Sequence, residues 1–393
     1  MDVHDAGVAT DHIARARKLA PLLTAAAPRI DEARELPGDV LDAMHADGMF
    51  RLLVPRSLEG AELDPATYIQ CVEAIAGGDA SVAWCMNQGS GCSLSAAYLE
   101  PVAAREVFGG KRDVLAWGQG PGAKAIRTDG GWRVSGTWAF ASGSRHATWL
   151  GAHCPCFEAD GTPQRYPDGR TWERTMLFRR ERAKIDDVWQ VVGLRGTGSD
   201  TYTVKNLFVG DAHTLTRDRP DERREPGLLY RFSGMNIYAS GFAAVALGIA
   251  RATLDAFIDL ACGKTPALTQ TALRDSAMIQ SAIGIADAKL HSARSWLIQV
   301  LRDTQEQVAV AGELNTAQRM RIRQAATYAI HQAKEVVDVA YHEAGATAIF
   351  DANPFERRFR DINTVTQQVQ GRRSHFETVG QYLLGSQPSL RWV

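Results

Sequence analysis

The sequence predicts an α+β protein in three units: an N-terminal helical domain, a central β-barrel or sandwich, and a C-terminal four-helix bundle. Three observations predict it. Residues 11–112, and nearly everything after 228, carry apolar side chains at three- and four-residue spacing, the period of a helix with one buried face. Residues 113–216 instead break into short alternating runs divided by Gly, Asp and Pro, with no room for a helix of useful length. A chain of 393 residues also exceeds what a single core usually fills. The expected units are 1–112, 113–216, a charged linker at 217–227, and 228–393.

In the first unit Ile13, Leu19, Leu22 and Leu23 recur at helical spacing, and Leu36-Pro37 opens a second helix, because proline is tolerated in a first turn. Val40, Leu41, Met44 and Met49 continue its stripe. Gly48 closes it, an extended FRLLVP follows, and the chain turns at Glu59-Gly60. A third helix spans about Pro65 to Ile75. Gly77-Gly78-Asp79 stops it and caps a fourth, ASVAWCMNQGSGCSLSAAYL, whose small residues admit either a close-packed helix or a ligand.

The central runs VLAWGQ, WRVSGTWAF, TWLGAHC, TMLFRR, WQVVGL and YTVKNLFV read as strands. Within them, residues 131–149 set Trp132, Val134, Trp138, Phe140 and Trp149 beside the short hydroxyls of Ser142 and Ser144. Alone, that pattern describes a core hairpin as readily as a resting surface for a planar cofactor. Gly118-Gln119-Gly120-Pro121-Gly122 imitates a dinucleotide fingerprint, but the fingerprint needs a helix opening at its glycines and here a strand follows, which rejects a Rossmann reading. Residues 158–174 read as a surface hairpin insertion, and TRDRPDERREPG as a charged linker. In the last unit one long stripe runs through Ile279, Ile283, Ala286, Leu290, Ala293, Leu297 and Val300. A second runs through Ile322, Ala326, Ala329, Ala333, Val336 and Ala340. With an apolar helix after Met235 and a terminal one after Ser374, they make a bundle of four.

Composition narrows the function classes. The chain is 45% apolar and 23% charged with a net charge of −1, so neither a nucleic acid nor a membrane surface is an expected partner. The polar, acidic amino terminus lacks the features of a signal peptide, and the run Ala239 to Ala250 is too short to span a bilayer. The expected location is the cytoplasm. Six cysteines form no ligand-like spacing, which favours reduced thiols. Asp42-x-x-His45 stands alone where a di-iron bundle needs a pair, so no metal is expected.

Five motifs, in order, carry a resemblance. They are Gly48-Met49-Phe50-Arg51 with Val54-Pro55; Gly78-Asp79-Ala80-Ser81-Val82-Ala83-Trp84; Ser135 to Gly143 with His146 and Trp149; Gly193 to Ser199; and Phe355-Glu356-Arg357 with Arg360-Asp361. On these the chain resembles the acyl-CoA dehydrogenase superfamily, and more closely its branch of two-component flavin-dependent monooxygenases. The resemblance implies that Phe140 and Ser142 lie against the flavin near its N5, and that Trp117, Gly118 and Gln119 line its pyrimidine side. It also implies that Gly345 and Thr347, in a turn lacking two of the family's glycines, hold a phosphate or adenosine part from a neighbouring subunit, with Arg274 and Gln280 facing the cofactor across a dimer. A homo-oligomer, a tetramer built through the bundles, follows from the same likeness. The implied cofactor is reduced flavin, FADH2 or FMNH2, with O2. No NAD(P)H fingerprint is present in the sequence, so a separate NAD(P)H:flavin reductase is the implied partner.

Two chemistries are open to this fold. A dehydrogenase needs a carboxylate base, which in relatives often follows the Arg-Asp pair; here INTVTQQVQG, residues 362–371, contains neither Asp nor Glu. Losing a general base costs roughly a hundred- to ten-thousand-fold. A monooxygenase needs instead a dry pocket, for which Trp84, Trp117, Phe140, Trp149 and Phe242 are candidates, and a few fixed hydrogen bonds, for which Ser142 and amides are. Family hydroxylases carry histidines where this chain has Cys92 and Gln368. Gln does not titrate, so the expected substrate is an indole-like or other electron-rich ring that needs no deprotonation by His. The candidate catalytic residues are Ser142 and Gln368, and the candidate substrate contacts Trp84, Cys92, Tyr238, Phe242 and Gln368. His146 is expected to brace the turn, Arg195 and Ser199 to cap one, and Arg357, Arg358 and Arg360 with Asp361 to form ion pairs at a subunit interface. The expected function is the oxygenase component of a two-component flavin monooxygenase acting on an indole- or phenol-like ring. The alternatives are an acyl-thioester dehydrogenase with a relocated base, an N- or S-oxygenase, and a non-catalytic assembly partner.

Overall fold

The computed structural model describes residues 3–217, 219–390 and 392–393. Helix α1 (Val3–Ala33) runs unbroken through Pro21 and Pro28, followed by α2 (Gly38–Ala46), α3 (Pro65–Gly78) and α4 (Ala80–Ser93). Asp64 and Asp79 cap α3 and α4, their carboxylates accepting from the backbone N–H of Thr67 at 2.9 Å and Val82 at 3.0 Å. The segment FRLLVP is not extended as expected. Met49–Arg51 form a 3-10 turn, and the buried Arg51 guanidinium donates to the carbonyls of Phe108 (2.8 Å), Gly110 (2.9 Å) and Leu58. Phe108 ends α5 (Pro101–Phe108), a short helix hidden in the polar 100–110 region, and Arg51 thereby satisfies a helix end that would otherwise lack a donor.

The central unit holds β1 (Leu115–Trp117), β2 (Lys124–Thr128), β3 (Gly131–Ala141), β4 (Trp149–Phe157), β5 (Glu173–Arg179), β6 (Lys184–Asp186), β7 (Asp200–Gly210) and β8 (Thr214–Leu215). Its strand order is β6-β7-β3-β2-β4-β5-β8, with β1 paired to β4. Trp138, Tyr202 and Val134 sit in its own core. Residues 158–174 form the expected hairpin, bridged at Phe157–Pro163 and Arg165–Thr171. WQVVGL is not a strand. Its alternation reflects an irregular segment that buries Leu194 and turns Trp189 toward a cavity. Nor is 217–227 a free linker: it contains a 3-10 turn at Pro220–Glu222 and is tied down where Arg224 N donates to Ala97 O at 2.7 Å.

The last unit contains α6 (Gly234–Gly263), α7 (Ala277–Ala311), α8 (Thr316–Ala344), α9 (Phe355–Gln367) and α10 (Ser374–Leu383). The sequence reading counted one helix fewer, because FERRFRDINTVTQ looks polar throughout; α9 buries only Phe355, Asp361, Ile362 and Val365. Helix α6 is long and apolar enough to cross a membrane, but it is the central helix here, packed between α8, α3 and α4. N-terminal helices and bundle share one apolar core.

The small residues of α4 serve helix packing. Gly91 lies against the ring of Tyr238, and Gly241 of α6 leaves room for the buried Asn87 amide, whose oxygen accepts from Tyr68 Oη at 2.8 Å. A methyl group at 241 would overlap that oxygen. Gly241→Ala is therefore expected to cost about 1–3 kcal/mol by overpacking. Urea unfolding checks it, and an unchanged midpoint would show that the α4–α6 contact yields freely.

Candidate active site

A cavity of about 400 Å³ opens where α4, α6, the β-unit and residues 364–372 meet. Its floor comes from a defect in the sheet. The pairing of β3 with β7 slips between Trp138 and Ala141, and this bulge puts Phe140 at φ +60° with its ring 64% exposed. Trp189 meets that ring edge-on at 6.2 Å. Gly118 is required beside it: Gln119 and Ala139 exchange backbone hydrogen bonds at 2.9 Å each way, and any side chain at 118 would overlap the Ala139 carbonyl.

The helical wall is aromatic. Trp84 and Gln88, one turn apart on α4, face Met235, Tyr238 and Phe242 of α6, and Phe242 lies 4.1 Å from Trp84 and 6.1 Å from Tyr238 between ring centroids. Cys92 is not a cavity residue. It is fully buried behind this wall, its Sγ 3.3 Å from Tyr238 Oη and 3.5 Å from Gln88 Nε2, so Gln88 occupies the position expected of it. Trp149 is also absent from the cavity. It stacks on His213 and under Arg179 elsewhere on the β-unit.

Ser142 begins a chain of hydroxyls whose direction is fixed. The Leu194 carbonyl can only accept, so Thr197 Oγ1 donates to it at 2.8 Å. Having spent its one proton, Thr197 must accept from Ser199 (2.7 Å), and Ser199 in turn from Ser142 (2.6 Å). Ser142 also accepts from Trp84 Nε1 at 3.0 Å. It is left with one lone pair, so toward the cavity Ser142 is an acceptor and not a donor. Gln368, which also lines the cavity, has the opposite character. Its Oε1 takes the backbone N–H of Gln370 at 2.6 Å, which leaves its amide NH2 as the end free to donate. Ser199, expected only to cap a turn, is thus part of the site.

His153 on β4 is the only cavity histidine among the described residues. Its Nδ1 is 2.8 Å from Thr175 Oγ1, and burial holds its pKa well below the usual value, so it is neutral near pH 7. No Asp or Glu among the described residues lines the cavity, whereas Arg217 and Arg372 do.

The three contacts implied across a subunit interface do not line this chain's own cavity. Arg274 is largely exposed, and Gly345 and Thr347 sit at the end of α8, where Lys264 Nζ donates to Ala344 O at 2.7 Å and to Thr347 Oγ1 at 2.8 Å. This corner does not reach the cavity of its own chain. The arginines around Asp361 also differ from expectation. Arg360 pairs with Glu356 and Asp31, Arg358 donates to Ala252 O, and Asp361 receives Leu194 N at 2.6 Å, its pKa pushed up to about 7 by burial. The network fastens α9 to α1 and to the cavity-edge loop within one chain.

A helical–β–helical chain with a hydroxyl-bearing cavity at the junction has the architecture of acyl-CoA dehydrogenase-type flavoproteins. Residues 14–99 match the family described as acyl-CoA dehydrogenase, N-terminal domain, and residues 240–371 its C-terminal domain. The chain is 31% identical to indole-3-acetate monooxygenase of Pseudomonas putida over 91% of this chain and 90% of that protein. It is 28% identical to HsaA, the oxygenase subunit of a flavin-dependent monooxygenase of Rhodococcus jostii, over 88% and 90%. The structure of XiaF from Streptomyces, solved with FADH2 and glycerol, superposes with a TM-score of 0.91 at 23% identity over 99% of both chains. The chain belongs to the acyl-CoA dehydrogenase family, in its branch of flavin-dependent monooxygenase oxygenase components.

The cavity residues fit a reduced flavin. Phe140 offers an exposed ring to a planar ligand, no carboxylate among the described residues repels an electron-rich one, and the acceptor lone pair of Ser142 suits the N5–H that only the reduced ring carries. Thr197→Val would release the Ser199 proton, let Ser142 turn its own proton to the cavity, and reverse that preference. The ratio of oxidised- to reduced-flavin dissociation constants is expected to fall roughly five- to tenfold, the worth of one hydrogen bond. Anaerobic titration of both redox states measures it, and an unchanged ratio would show that the hydroxyl order does not matter.

Proposed function

We propose that this protein hydroxylates an indole- or phenol-like ring, taking reduced flavin from a separate NAD(P)H-dependent reductase. The observation that carries this reading is the cavity itself: aromatic walls and oriented hydrogen-bonding groups, with no carboxylate among the described residues to abstract a proton from an acyl thioester. Bound reduced flavin supplies the electrons that activate O2 for insertion of one oxygen atom into the ring.

The remaining work belongs to the chain's own residues. Trp84, Phe242 and Tyr238 exclude water and give the substrate ring flat contacts. Ser142 holds its lone pair toward the cavity through a chain anchored on a backbone carbonyl, so no reorganisation is needed when a donor arrives. Gln368 adds N–H groups to the cavity lining, suited to an oxygen acceptor. Two features support a homo-oligomer: Arg274, Gly345 and Thr347, implied by the resemblance as contacts to a neighbouring subunit's cofactor, lie outside their own chain's cavity, and Met278, Ile285, Ile349 and Phe350 are exposed nearby in the sequence.

The test supplies reduced flavin, 18O2 and either indole or a simple phenol, and looks for one labelled oxygen in the product. Bleaching of oxidised flavin by an acyl-CoA without oxygen would overturn the reading in favour of a dehydrogenase. The pH profile is a second check. His153 already sits in its neutral form well below neutrality, so kcat is expected to show no histidine ionisation between about pH 6.5 and 8.5. A rise through about pH 7 that vanishes in His153→Gln would contradict this.

A further inference from the structure

We propose, building on the oxygenase reading, that the substrate is an aromatic ring bearing a carboxylate, and that Arg217 receives that carboxylate. Arg217 follows β8 and lines the cavity half-buried, its guanidinium stacked on the Trp117 ring at 4.6 Å. Among the described residues it has no ion pair and no hydrogen-bond partner. That sets it apart from the other guanidiniums close by: Arg174 bonds Thr214 and Thr216, Arg223 pairs with Glu313, and Arg219 pairs with Asp221. A guanidinium taken partly out of water and left unpaired costs free energy, which an arriving anion offsets.

Its position assigns it to the substrate and not to the hydroxyl end of the cavity. Along the helical wall the contacts run from Ser142 to Trp84, to Phe242, to Tyr238, each touching the next. The charge of Arg217 acts on Tyr238, at the far end of that series, and on Cys92 behind it. It also borders the small recess formed by Gly91, Tyr230 and Phe232 beyond Tyr238. A ring lying along Tyr238 and Phe242 with a short acidic side chain would place its reacting carbons toward Ser142 and its carboxylate toward Arg217. The planar fork of Arg, seated over the Trp117 ring, suits two-point recognition of a carboxylate, and no acid in the described cavity competes for it.

The experiment compares equilibrium binding of indole-3-acetate with its neutral isostere indole-3-acetamide, in the wild type, Arg217→Met and Arg217→Lys, each with reduced flavin present under anaerobic conditions. The wild type is expected to prefer the acid by roughly tenfold or more, the worth of a charge-assisted hydrogen bond. Arg217→Met should bring the ratio close to one, and Arg217→Lys should restore part of it. Three results would overturn the proposal: no acid preference in the wild type, the same preference in Arg217→Met, or a loss of reduced-flavin affinity with the acid-to-amide ratio intact, which would give Arg217 to the cofactor. Turnover with 18O2 is scored separately. Acid-selective binding without labelled product would sink the oxygenase reading and leave the carboxylate assignment standing.

Discussion

Trp84 is where the three units meet. Its ring packs on Phe242 in the bundle, its backbone belongs to a helix of the N-terminal unit, and its indole N–H donates to Ser142 at the end of β3. That hydrogen bond only forms if α4 is pressed close to α6, which the glycines at 91 and 241 permit, and if β3 is bent at its bulge so that Ser142 turns inward. The cavity is what remains when these conditions are satisfied together. Its polar groups are satisfied from behind, by a carbonyl, an indole and a neighbouring amide, so the surface facing the ligand keeps only the hydrogen-bonding capacity that a ligand can use.

The parts of this arrangement that repeat locally could be read from the sequence. Three- and four-residue spacing marked α7 and α8, and period-two runs marked β3, β4 and β7, whereas Phe140 and Ser142 stood out only through the family resemblance. What was hidden depends on chain segments far apart. Ser199 looks like a turn residue until β7 brings it 2.6 Å from Ser142, and Gln88 is one polar residue in a small-residue helix until α6 packs beside it. Arg217 was obscured by composition: it lies in a run of acids and bases that resembles a solvated linker, and nothing local distinguishes the guanidinium that reaches the cavity. The same limit explains WQVVGL and α9, where alternation and polarity report burial against other segments and not the local backbone form.

The electrostatics of the cavity form a consistent set. Burial suppresses the charge of His153, described carboxylates are kept out of the wall, and the formal charges left are those of two arginines, Arg217 inside and Arg372 at the exposed edge. An electron-rich ring system bound here meets donors and cations without a fixed negative charge to oppose it. A cation substrate, by contrast, would be repelled at both arginines, which argues against amine oxidation in this cavity.

Gln368 completes that logic. A titratable histidine in its place would be protonated or neutral depending on pH, and its role would change with it. The amide does not change. Because its oxygen is committed to Gln370 N, it offers N–H groups to the cavity at every pH at which the fold persists, and Gln370 is itself held by the buried Arg323 at 2.5 Å. This donor is therefore fixed by two linked contacts that begin deep in α8. A reaction that needs an oxygen atom steadied, and no proton removed from the substrate, is the one such a pair of complementary, non-titrating groups can support.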